Sequence, residues 1–279
     1  MTLVSPTLRD EITANMRAAK ARMWVRIKGG NRELTHYIAE VVLPVLTIGA
    51  YVILYKTLGL PSSLGAAVII GGAMIAFWTN ILWNMSAQWF WEKEMGNLEM
   101  YMVAPVSRMS VLLGMAMGGA INTSLRATGI ILLGVFVFQV PFQVHDLLVA
   151  GLVFLLTVIS LYGLGMVFAS LYMLYGREAW HTNMLLQEPV FFLSGSYFPT
   201  IYVSVIPVWL QVTATLIPMT VGLDAIRRVT IQGQGLMAVW PHILALIVFI
   251  AILIPVARMA LNYMENLGKR EGRLTLRWQ

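Results

Sequence analysis

The chain has 279 residues, of which 58% are hydrophobic and only 11% are charged, and its mean hydropathy is +0.75. This composition excludes a soluble globular protein, because too little polar surface exists to cover the apolar residues, and it predicts a membrane protein. The absence of cysteine excludes disulfides, zinc–thiolate sites and thiol nucleophiles. The net charge of +6 gathers at the two ends of the chain beside apolar segments, which favours an anionic membrane surface over nucleic acid as its partner.

A basic segment precedes the first long apolar run, which starts near Tyr37. Apolar residues spaced three or four apart in residues 7–32 predict an amphipathic helix, and we assign residues 1–36 to a cytoplasmic basic helix at the membrane interface. A solvated, partly disordered basic tail is the alternative. No cleavable signal peptide is predicted, so the first apolar run would serve as an uncleaved anchor. The predicted stripe consists of Leu8, Ile12, Met16, Ala19, Met23 and Ile27.

Six apolar segments approach or exceed the roughly 20 residues that a helix needs to cross the hydrocarbon core. They predict an all-α integral membrane protein, with one transmembrane domain at residues 37–262 and a basic cytoplasmic tail at 263–279. A short turn at residues 59–61 joins the first two segments into a hairpin. The predicted spans are residues 37–58, 63–88, 111–138, 147–175, 183–199 and 239–261.

Lysine and arginine set the predicted orientation, because these residues collect on the cytoplasmic side of membrane proteins. With both termini in the cytoplasm, the basic residues of segments 9–32 and 269–277 lie inside, together with Lys93, Arg108 and Arg177. Only Lys56, Arg227 and Arg228 then remain outside. The reversed topology would place nearly all of the positive charge outside, which excludes it.

The longest charged interruption of the apolar chain is residues 89–112. Its first part is too polar to cross a bilayer and too amphipathic for a loop, so it predicts a short helix at about 89–104 on the cytoplasmic membrane face. Pro105 ends that helix and Ser107 is placed to cap the next one. Helical spacing predicts an apolar stripe of Trp91, Met95, Leu98 and Met102, flanked by the carboxylates of Glu92, Glu94 and Glu99.

Residues 199–236 are mostly apolar but are interrupted by prolines. They predict two short re-entrant helices that enter the outer leaflet and return, with other helices shielding their backbone groups. Two additional spans are the alternative, which is disfavoured because no polar turn separates the prolines. The residues singled out here and just before are Ser194, Gly195, Pro199, Pro207, Pro218, Asp224 and Arg227.

Polar side chains within the predicted spans allow two interpretations. Arg126 falls near the middle of the third span, where a cation costs at least about 2.5 kcal/mol unless it is paired or hydrated. With Asn122 it either lines a translocation path or forms an intramembrane pair with a carboxylate such as Glu188. For the second span, hydrogen bonding between helices is the simpler expectation. Its polar stripe consists of Asn80, Asn84 and Gln88.

Catalytic and nucleotide-binding motifs are missing from the sequence: it has no G-x-x-x-x-G-K-[ST], no H-E-x-x-H and no G-x-S-x-G. The chain is therefore not expected to bind ATP through a P-loop, to act as an enzyme, or to hold a cofactor or metal of its own. The four histidines are isolated near predicted helix ends, and we interpret them as interface residues rather than metal ligands.

Two sets of motifs carry a resemblance to a known family. The sequence EMGNLE at 94–99, followed by AP at 104–105 and SR at 107–108, resembles the E-x-G-T-L-E…P-x-S-R signature of type-2 ABC exporter permeases. That family includes drug-efflux (daunorubicin-type), nodulation-factor and polysaccharide export subunits. FFLSG at 191–195, FP at 198–199, PVWL at 207–210, PMT at 218–220 and LDAIR at 223–227 are similar to its fifth span and outer re-entrant helices. The resemblance covers nearly the whole chain, with one departure: Asn97 stands where threonine is usual.

The resemblance implies a permease that pairs with a separate ATP-binding subunit, which carries ATP and Mg²⁺, and with a second permease copy in the membrane. It implies that the helix at about 89–104 is a coupling helix seated in a cleft of the ATPase. A hydrophobic drug or lipid-like molecule is the expected substrate, and a glycan or glycolipid is the alternative. The residues expected to serve the coupling are Glu92, Glu94, Gly96, Asn97, Leu98, Glu99, Pro105 and Arg108.

Two other classes of function compete with this expectation. A secondary transporter or channel would use Arg126 and Glu188 as an ion-linked site and would need no ATPase partner. An intramembrane enzyme would need a catalytic dyad that the sequence does not offer.

Overall fold

A computed structural model describes residues 8–30, 34–140, 142, 146–198 and 207–272. Within those ranges the chain is helical and contains no strand. A π-helical turn, Ile81–Met85, follows the third helix directly. The helices are α1 (Leu8–Gly30), α2 (Leu34–Thr57), α3 (Ser62–Asn80), α4 (Gln88–Glu94), α5 (Asn97–Val103), α6 (Arg108–Phe138), α7 (Leu147–Tyr172), α8 (Gly176–Leu193), α9 (Val208–Ala214), α10 (Pro218–Thr230) and α11 (Leu236–Glu271).

Five helical segments of the described chain are long and apolar enough to cross a membrane: α2, α3 continuing through the π-turn into α4, α6, α7 and α11. The pair α9 and α10, bent by 93°, makes a sixth if it is counted as one span. The predicted fifth span, 183–199, is not among the five. Its helix, α8, begins earlier and carries three charged residues in 18, which makes it too polar by composition.

The bundle packs around α3, whose apolar stretch is 78% buried, whereas the other candidate spans are 17% to 44% buried. Phe77 and Trp78 of α3 are shielded from solvent, with Phe154 and Phe168 of α7 against their ring edges. Large apolar side chains also cover the outside of α2, α6 and α7. Apolar residues both inside and outside are what a bilayer requires, because lipid and not water surrounds the spans.

The ends of the helices lie at two opposite ends of the bundle. At one end, Arg108 at the start of α6 forms an ion pair with Glu265 near the end of α11. At the other, Lys56 Nζ at the end of α2 donates 2.6 Å to the carbonyl of Phe138 at the end of α6. We call the first the elbow end and the second the far end. The predicted hairpin of the first two spans is present, with its turn at the far end.

Helix α1 packs along the first half of α6 and runs parallel to it. Asn15 Oδ1 accepts the backbone N–H of Ser107 at 2.7 Å, and Asn122 Nδ2 donates 3.0 Å to the carbonyl of Arg26 further along both helices. Gly114 and Gly118 of α6 allow the backbones to approach, because a Cβ at Gly118 would lie 2.8 Å from the carbonyl oxygen of Met23. The structure therefore has a helix, α1, in the segment for which a basic amphipathic helix was predicted.

The predicted apolar stripe of α1 is divided between two surroundings. Its first residues, Leu8, Ile12 and Met16, are exposed. Ala19 and Met23 lie against α6 beside Gly114 and Gly118, so only the first half of the stripe is turned outward. The last predicted span, 239–261, is shorter than the helix that contains it, because α11 continues through Glu271. Residues 273–279 of the predicted tail lie outside the described part of the chain.

Candidate functional site

The segment that joins α3 to α6 is the elbow, which we define as residues 88–103. The predicted single helix at 89–104 is wrong: the structure has two short helices, α4 and α5, separated at Gly96. Gly96 has φ +75°, a left-handed conformation that glycine adopts without strain, so it stops α4 and turns the chain into α5. The elbow is therefore a bent pair of helices.

The predicted apolar stripe is also not the inner face of the elbow. Trp91 and Met95 are exposed, because the turn at Gly96 breaks the helical phase. The residues that pack inward are Trp89 and Leu98, and the Trp89 ring meets that of Tyr101 edge-on with centroids 5.9 Å apart. These apolar contacts attach the elbow to the core of the bundle.

Glu92 lies at the centre of the elbow and is only 2% exposed. Its Oε1 forms an ion pair with Arg22 of α1 and accepts Gln88 Nε2 at 2.9 Å. Its Oε2 accepts Asn97 Nδ2 at 3.1 Å. A carboxylate removed from water is costly unless it is paired and hydrogen-bonded, and both oxygens of Glu92 are satisfied. This one side chain therefore ties α1, α4 and α5 together.

Two basic residues of α1 supply the positive charge around Glu92. The Arg22 guanidinium also lies over the ring of Tyr101, 5.3 Å from its centroid. Burial raises the pKa of the Tyr101 phenol against the opposing effect of the Arg22 charge. Arg26 donates 3.1 Å to Gln88 Oε1, and burial lowers the pKa of its guanidinium. The elbow is thus held against α1 by a charged, largely buried contact.

The outer surface of the elbow combines acidic and apolar side chains. Glu94 and Glu99 are exposed, whereas Glu92, the third carboxylate predicted to serve the coupling, is buried. Beside them the exposed apolar residues are Trp91, Met95, Met100 and Val103. Such a mixture of large apolar side chains and charge on a rigid surface is typical of a protein-binding face.

The π-turn Ile81–Met85 connects this surface to α3 and is held by α8. The backbone N–H of Ser86 donates to the carbonyl of Ile81 at 2.8 Å, the i→i+5 bond of a π-helix. The carbonyl of Leu82 accepts the side chains of both Ser86 and Asn183 of α8. Trp83 Nε1 donates 2.7 Å to Gln187 Oε1, so a second side chain of α8 binds the same turn.

The remaining predicted coupling residues lie where the elbow leads into α6. Pro105 follows α5 and is exposed, and Ser107 occupies the N-cap position of α6, although its side chain makes no capping bond. Arg108 forms an ion pair with Glu265, which also accepts Lys269 Nζ at 2.5 Å. Arg108 therefore joins α6 to α11 rather than lying on the elbow's outer face.

Arg126 is paired, but not with the carboxylate that the sequence prediction named. Its Nη1 lies 2.6 Å from Glu40 Oε2 on α2. Glu188 is exposed on α8, where Gln187 Nε2 donates to it at 3.2 Å. The structure thus replaces the predicted Arg126–Glu188 pair with an Arg126–Glu40 pair.

Two of the three polar residues of the second span, Asn80 and Asn84, lie beside the Arg126–Glu40 pair, whereas Gln88 belongs to the elbow. Asn80 Oδ1 accepts the hydroxyl of Tyr162 at 2.9 Å, a hydrogen bond between helices as expected. Asn80 and Asn84 line a cavity of about 310 Å³ together with Glu40 and Arg126. Asn122 binds α1 and is not among the residues that line it. The Arg126–Glu40 ion pair therefore lines a cavity.

Of the residues singled out between 194 and 227, Arg227 and Gly195 are in direct contact near the start of α3. This buried guanidinium donates 2.7 Å to the carbonyl of Gly195 and 2.8 Å to that of Ala67. Gly195 has φ +71°, and the Ser194 hydroxyl lies 2.8 Å from that of Ser196. Arg227 therefore joins α10 to α3 and to the end of α8.

The described part of the predicted re-entrant region contains two short helices, α9 and α10. Pro207 and Pro218 stand at their starts, where a missing backbone N–H costs nothing. Asp224 binds Arg228 at 2.8 Å and His242 of α11 at 2.7 Å. Pro199 lies outside the described residues.

Several residues of these sites were missed at the level of sequence: Arg22, Glu40, Asn183, His242 and Glu265. Each is a charged or amide side chain on a helix other than that of its partner, and sequence spacing does not relate such pairs. One signal was available for Glu40, since a lone carboxylate within an apolar span demands a partner. No group of three or more metal-ligating side chains occurs among the described residues.

The sequence model of the ABC-2 type transporter family matches residues 17–231, more than half of the chain. Over 160 residues the chain is 26% identical to the "Probable multidrug ABC transporter permease YbhR" of Escherichia coli strain K12, a match that covers 57% of this chain and 42% of that permease. Over 156 residues it is 30% identical to the "Inner membrane transport permease YadH" of the same strain, covering 50% of this chain and 60% of that permease. The chain thus matches about half the length of these relatives.

The matched region contains α2 to α10, and with them the elbow, the Arg126–Glu40 pair and the contacts of Arg227. The apolar helices that carry these groups have the length and composition of membrane spans. The chain therefore belongs to the ABC-2 type transporter family and has the apolar helices of a multi-pass membrane protein.

Proposed function

We propose that this chain is the permease subunit of an ATP-driven exporter, and that a separate ATP-binding subunit drives it through the elbow. The observation that carries the proposal is that the three carboxylates of the elbow differ in burial. Glu92 is buried and fixes the elbow to α1, while Glu94 and Glu99 stay exposed beside apolar side chains. The inner side of the elbow is fixed to α1, and its outer side exposes charged and apolar side chains to which a partner can bind. Such a segment suits the transfer of a partner's movement to the membrane helices.

The connections of the elbow support the same role. It continues into α3 through the π-turn on one side and into α6 on the other, and α3 and α6 pack on each other. A displacement of the elbow would therefore move two membrane helices together. Charge-assisted hydrogen bonds from Glu94 and Glu99 to the partner, each worth about 1.5–3 kcal/mol, suffice to register the two proteins.

The proposed setting is a bacterial inner membrane, with both termini and the elbow in the cytoplasm and two permease copies in the complex. The distribution of lysine and arginine supports this orientation. The proposed cargo is a hydrophobic drug or lipid-like molecule. The name of the relative YbhR contains the word multidrug, and the cavity beside Arg126 has mostly apolar walls. A glycan or glycolipid is the alternative cargo.

Purification of the tagged full-length chain from its own host tests the partner. We expect it to carry a subunit with ATPase activity, and we expect the complex in proteoliposomes to move a fluorescent hydrophobic dye only when ATP is supplied. Transport driven by an ion gradient without any ATPase would contradict the proposal. Transport of a labelled oligosaccharide instead of the dye would show that the cargo is a glycan.

A double variant tests the elbow itself. Glu94→Ala with Glu99→Ala should insert and fold normally but lose most nucleotide-dependent transport, because both carboxylates are exposed and make no described internal contact. The matched control removes two exposed carboxylates elsewhere, Glu11→Ala with Glu188→Ala, and should transport normally. Unchanged ATP-dependent transport in the elbow variant would refute the role of its carboxylates.

A further inference from the structure

A π-turn interrupts the helical segment that runs from the far end of the bundle into the elbow. The candidate span Ser62–Glu94 contains α3 and α4, and between them Ile81–Met85 is wound as a π-helix. The backbone N–H of Ser86 donates to the carbonyl of Ile81 at 2.8 Å and bypasses that of Leu82, its partner in an α-helix. The ladder of backbone hydrogen bonds that stiffens an α-helix is therefore interrupted just before the elbow.

Side chains take the place of the bypassed backbone bond, and one of them comes from α8. The Leu82 carbonyl accepts the hydroxyl of Ser86 and the side-chain amide of Asn183, which is 1% exposed. One turn further along α8, Gln187 Oε1 accepts Trp83 Nε1 at 2.7 Å. Two side chains of a single helix therefore hold the π-turn.

The parts on either side of the turn are held more firmly than the turn itself. Towards the far end, α3 lies in the core of the bundle, and its apolar stretch is 78% buried. On the other side, Glu92 ties the elbow to α1, and Trp89 and Leu98 pack inward. Sharp bends of helices occur at π-turns, because a turn with an interrupted ladder yields before a regular one does. A movement of the elbow relative to α3 would therefore be absorbed at Ile81–Met85, where the two side chains of α8 are bound.

We infer that the π-turn is a hinge between α3 and the elbow, and that Asn183 and Gln187 pass the movement of the elbow on to α8. The inference rests on the proposed function, because it names a third membrane helix, besides α3 and α6, that the ATP-binding partner moves. Asn183 and Gln187 are positioning residues, which act through the Leu82 carbonyl and the Trp83 ring.

Deletion of Asn84 tests the hinge in the complex of the full-length chain with its ATPase partner. The deletion removes the additional residue of the π-turn, so that an unbroken α-helix can join α3 to the elbow while both keep their packing. The reference is Asn84→Ala, which loses the same side chain at unchanged chain length. We expect both variants to support ATP hydrolysis, and the deletion variant to move at least tenfold less dye for each ATP hydrolysed. Equal amounts of dye per ATP in the two variants would overturn the inference.

A measurement on the permease alone keeps the test decisive if the deletion variant folds poorly. The chain has no cysteine, so nitroxide labels on Leu60→Cys and Met95→Cys, both exposed, report the distance between the two ends of the segment. In lipid nanodiscs, double electron–electron resonance gives the distribution of this distance. Asn183→Leu should broaden the distribution about twofold, because the turn loses its hold on α8, and deletion of Asn84 should narrow it to about half.

The labels also separate the hinge from the proposed exporter, because no ATPase takes part in this measurement. Equal widths with and without Asn183→Leu would contradict the hinge, whatever drives transport. A distribution that broadens in Asn183→Leu, in a chain whose transport needs no ATP, would instead reject the proposed exporter and leave the hinge standing.

Discussion

Asn97 donates its side-chain amide to the buried carboxylate of Glu92, with 3.1 Å between Nδ2 and Oε2. The bond crosses the turn at Gly96 and therefore joins α4 to α5. It also explains the polar side chain at the one position where the sequence departs from the signature it resembles. An asparagine amide reaches Glu92 across the bend and satisfies the oxygen that Arg22 does not take.

Asn97→Ala should destabilise the protein by about 1–3 kcal/mol, because one oxygen of a buried carboxylate loses its donor. Thermal unfolding of the purified chain, followed by tryptophan fluorescence, measures this change. Asn97→Thr keeps a hydroxyl donor at the position and should lose less. Equal stability of all three proteins would mean that the hydrogen bond contributes nothing.

Glu92 and Glu94 belong to the same short helix, but neutralising each should change the stability by very different amounts. Glu92→Gln removes the ion-pair partner of Arg22 inside the protein, and we expect a loss on the order of 3 kcal/mol. Glu94→Gln changes an exposed side chain and should stay within about 0.5 kcal/mol of the wild type. Arg22→Gln added to Glu92→Gln should cost little more than Glu92→Gln alone, and additive losses in this double-mutant cycle would contradict the pairing.

Much of the fold followed from composition and spacing, because a bilayer allows few arrangements. Long apolar runs predicted α2, α3, α6, α7 and α11, and prolines predicted the short helices α9 and α10. The same reasoning counted the segment of α8 as a membrane span, although this helix is not among the five that are apolar enough. Its C-terminal half is apolar enough to pass for a span, while its polar N-terminal half binds the π-turn through Asn183.

The pairing of charges was beyond sequence reasoning. The sequence analysis named Glu188 as an example of a carboxylate that could pair with Arg126, whereas the packing of α2 against α6 brings Glu40 to it. In the elbow, the left-handed turn at Gly96 shifted the helical phase, so a stripe calculated for one continuous helix named the wrong inner face. Both errors arise because a single side chain or turn changes which groups meet, while hydrophobic periodicity stays the same.

Asn183→Leu should loosen the π-turn that precedes the elbow. Asn183 is buried and donates to the carbonyl of Leu82 and, at 3.2 Å, to Ser86 Oγ. We expect the free energy of unfolding to fall by roughly 1 kcal/mol, in line with hydrogen bonds between membrane helices. The fraction of ATP-dependent transport that is lost should exceed the fraction of stability that is lost. Gln187→Leu removes the neighbouring bond to Trp83 and is the matched variant on the same helix. Wild-type transport with lowered stability would limit Asn183 to a structural role.

Gly118→Ala should separate α1 from α6, because the added Cβ would lie 2.7 Å from the Cβ of Arg26 and 2.8 Å from the carbonyl oxygen of Met23. Overpacking of this kind costs about 1–3 kcal/mol. Gly151→Ala is the matched control: apart from its chain neighbours and the backbone of its own helix, no described atom lies within 4 Å of the added methyl group, so the change should be neutral or stabilise α7 by up to about 1 kcal/mol. Limited trypsin digestion should cleave α1 at Arg22 faster in Gly118→Ala than in Gly151→Ala, since Arg22 is released when the helices part. Equal cleavage rates in the two variants would show that α1 is held by its polar contacts alone and that close backbone packing is dispensable.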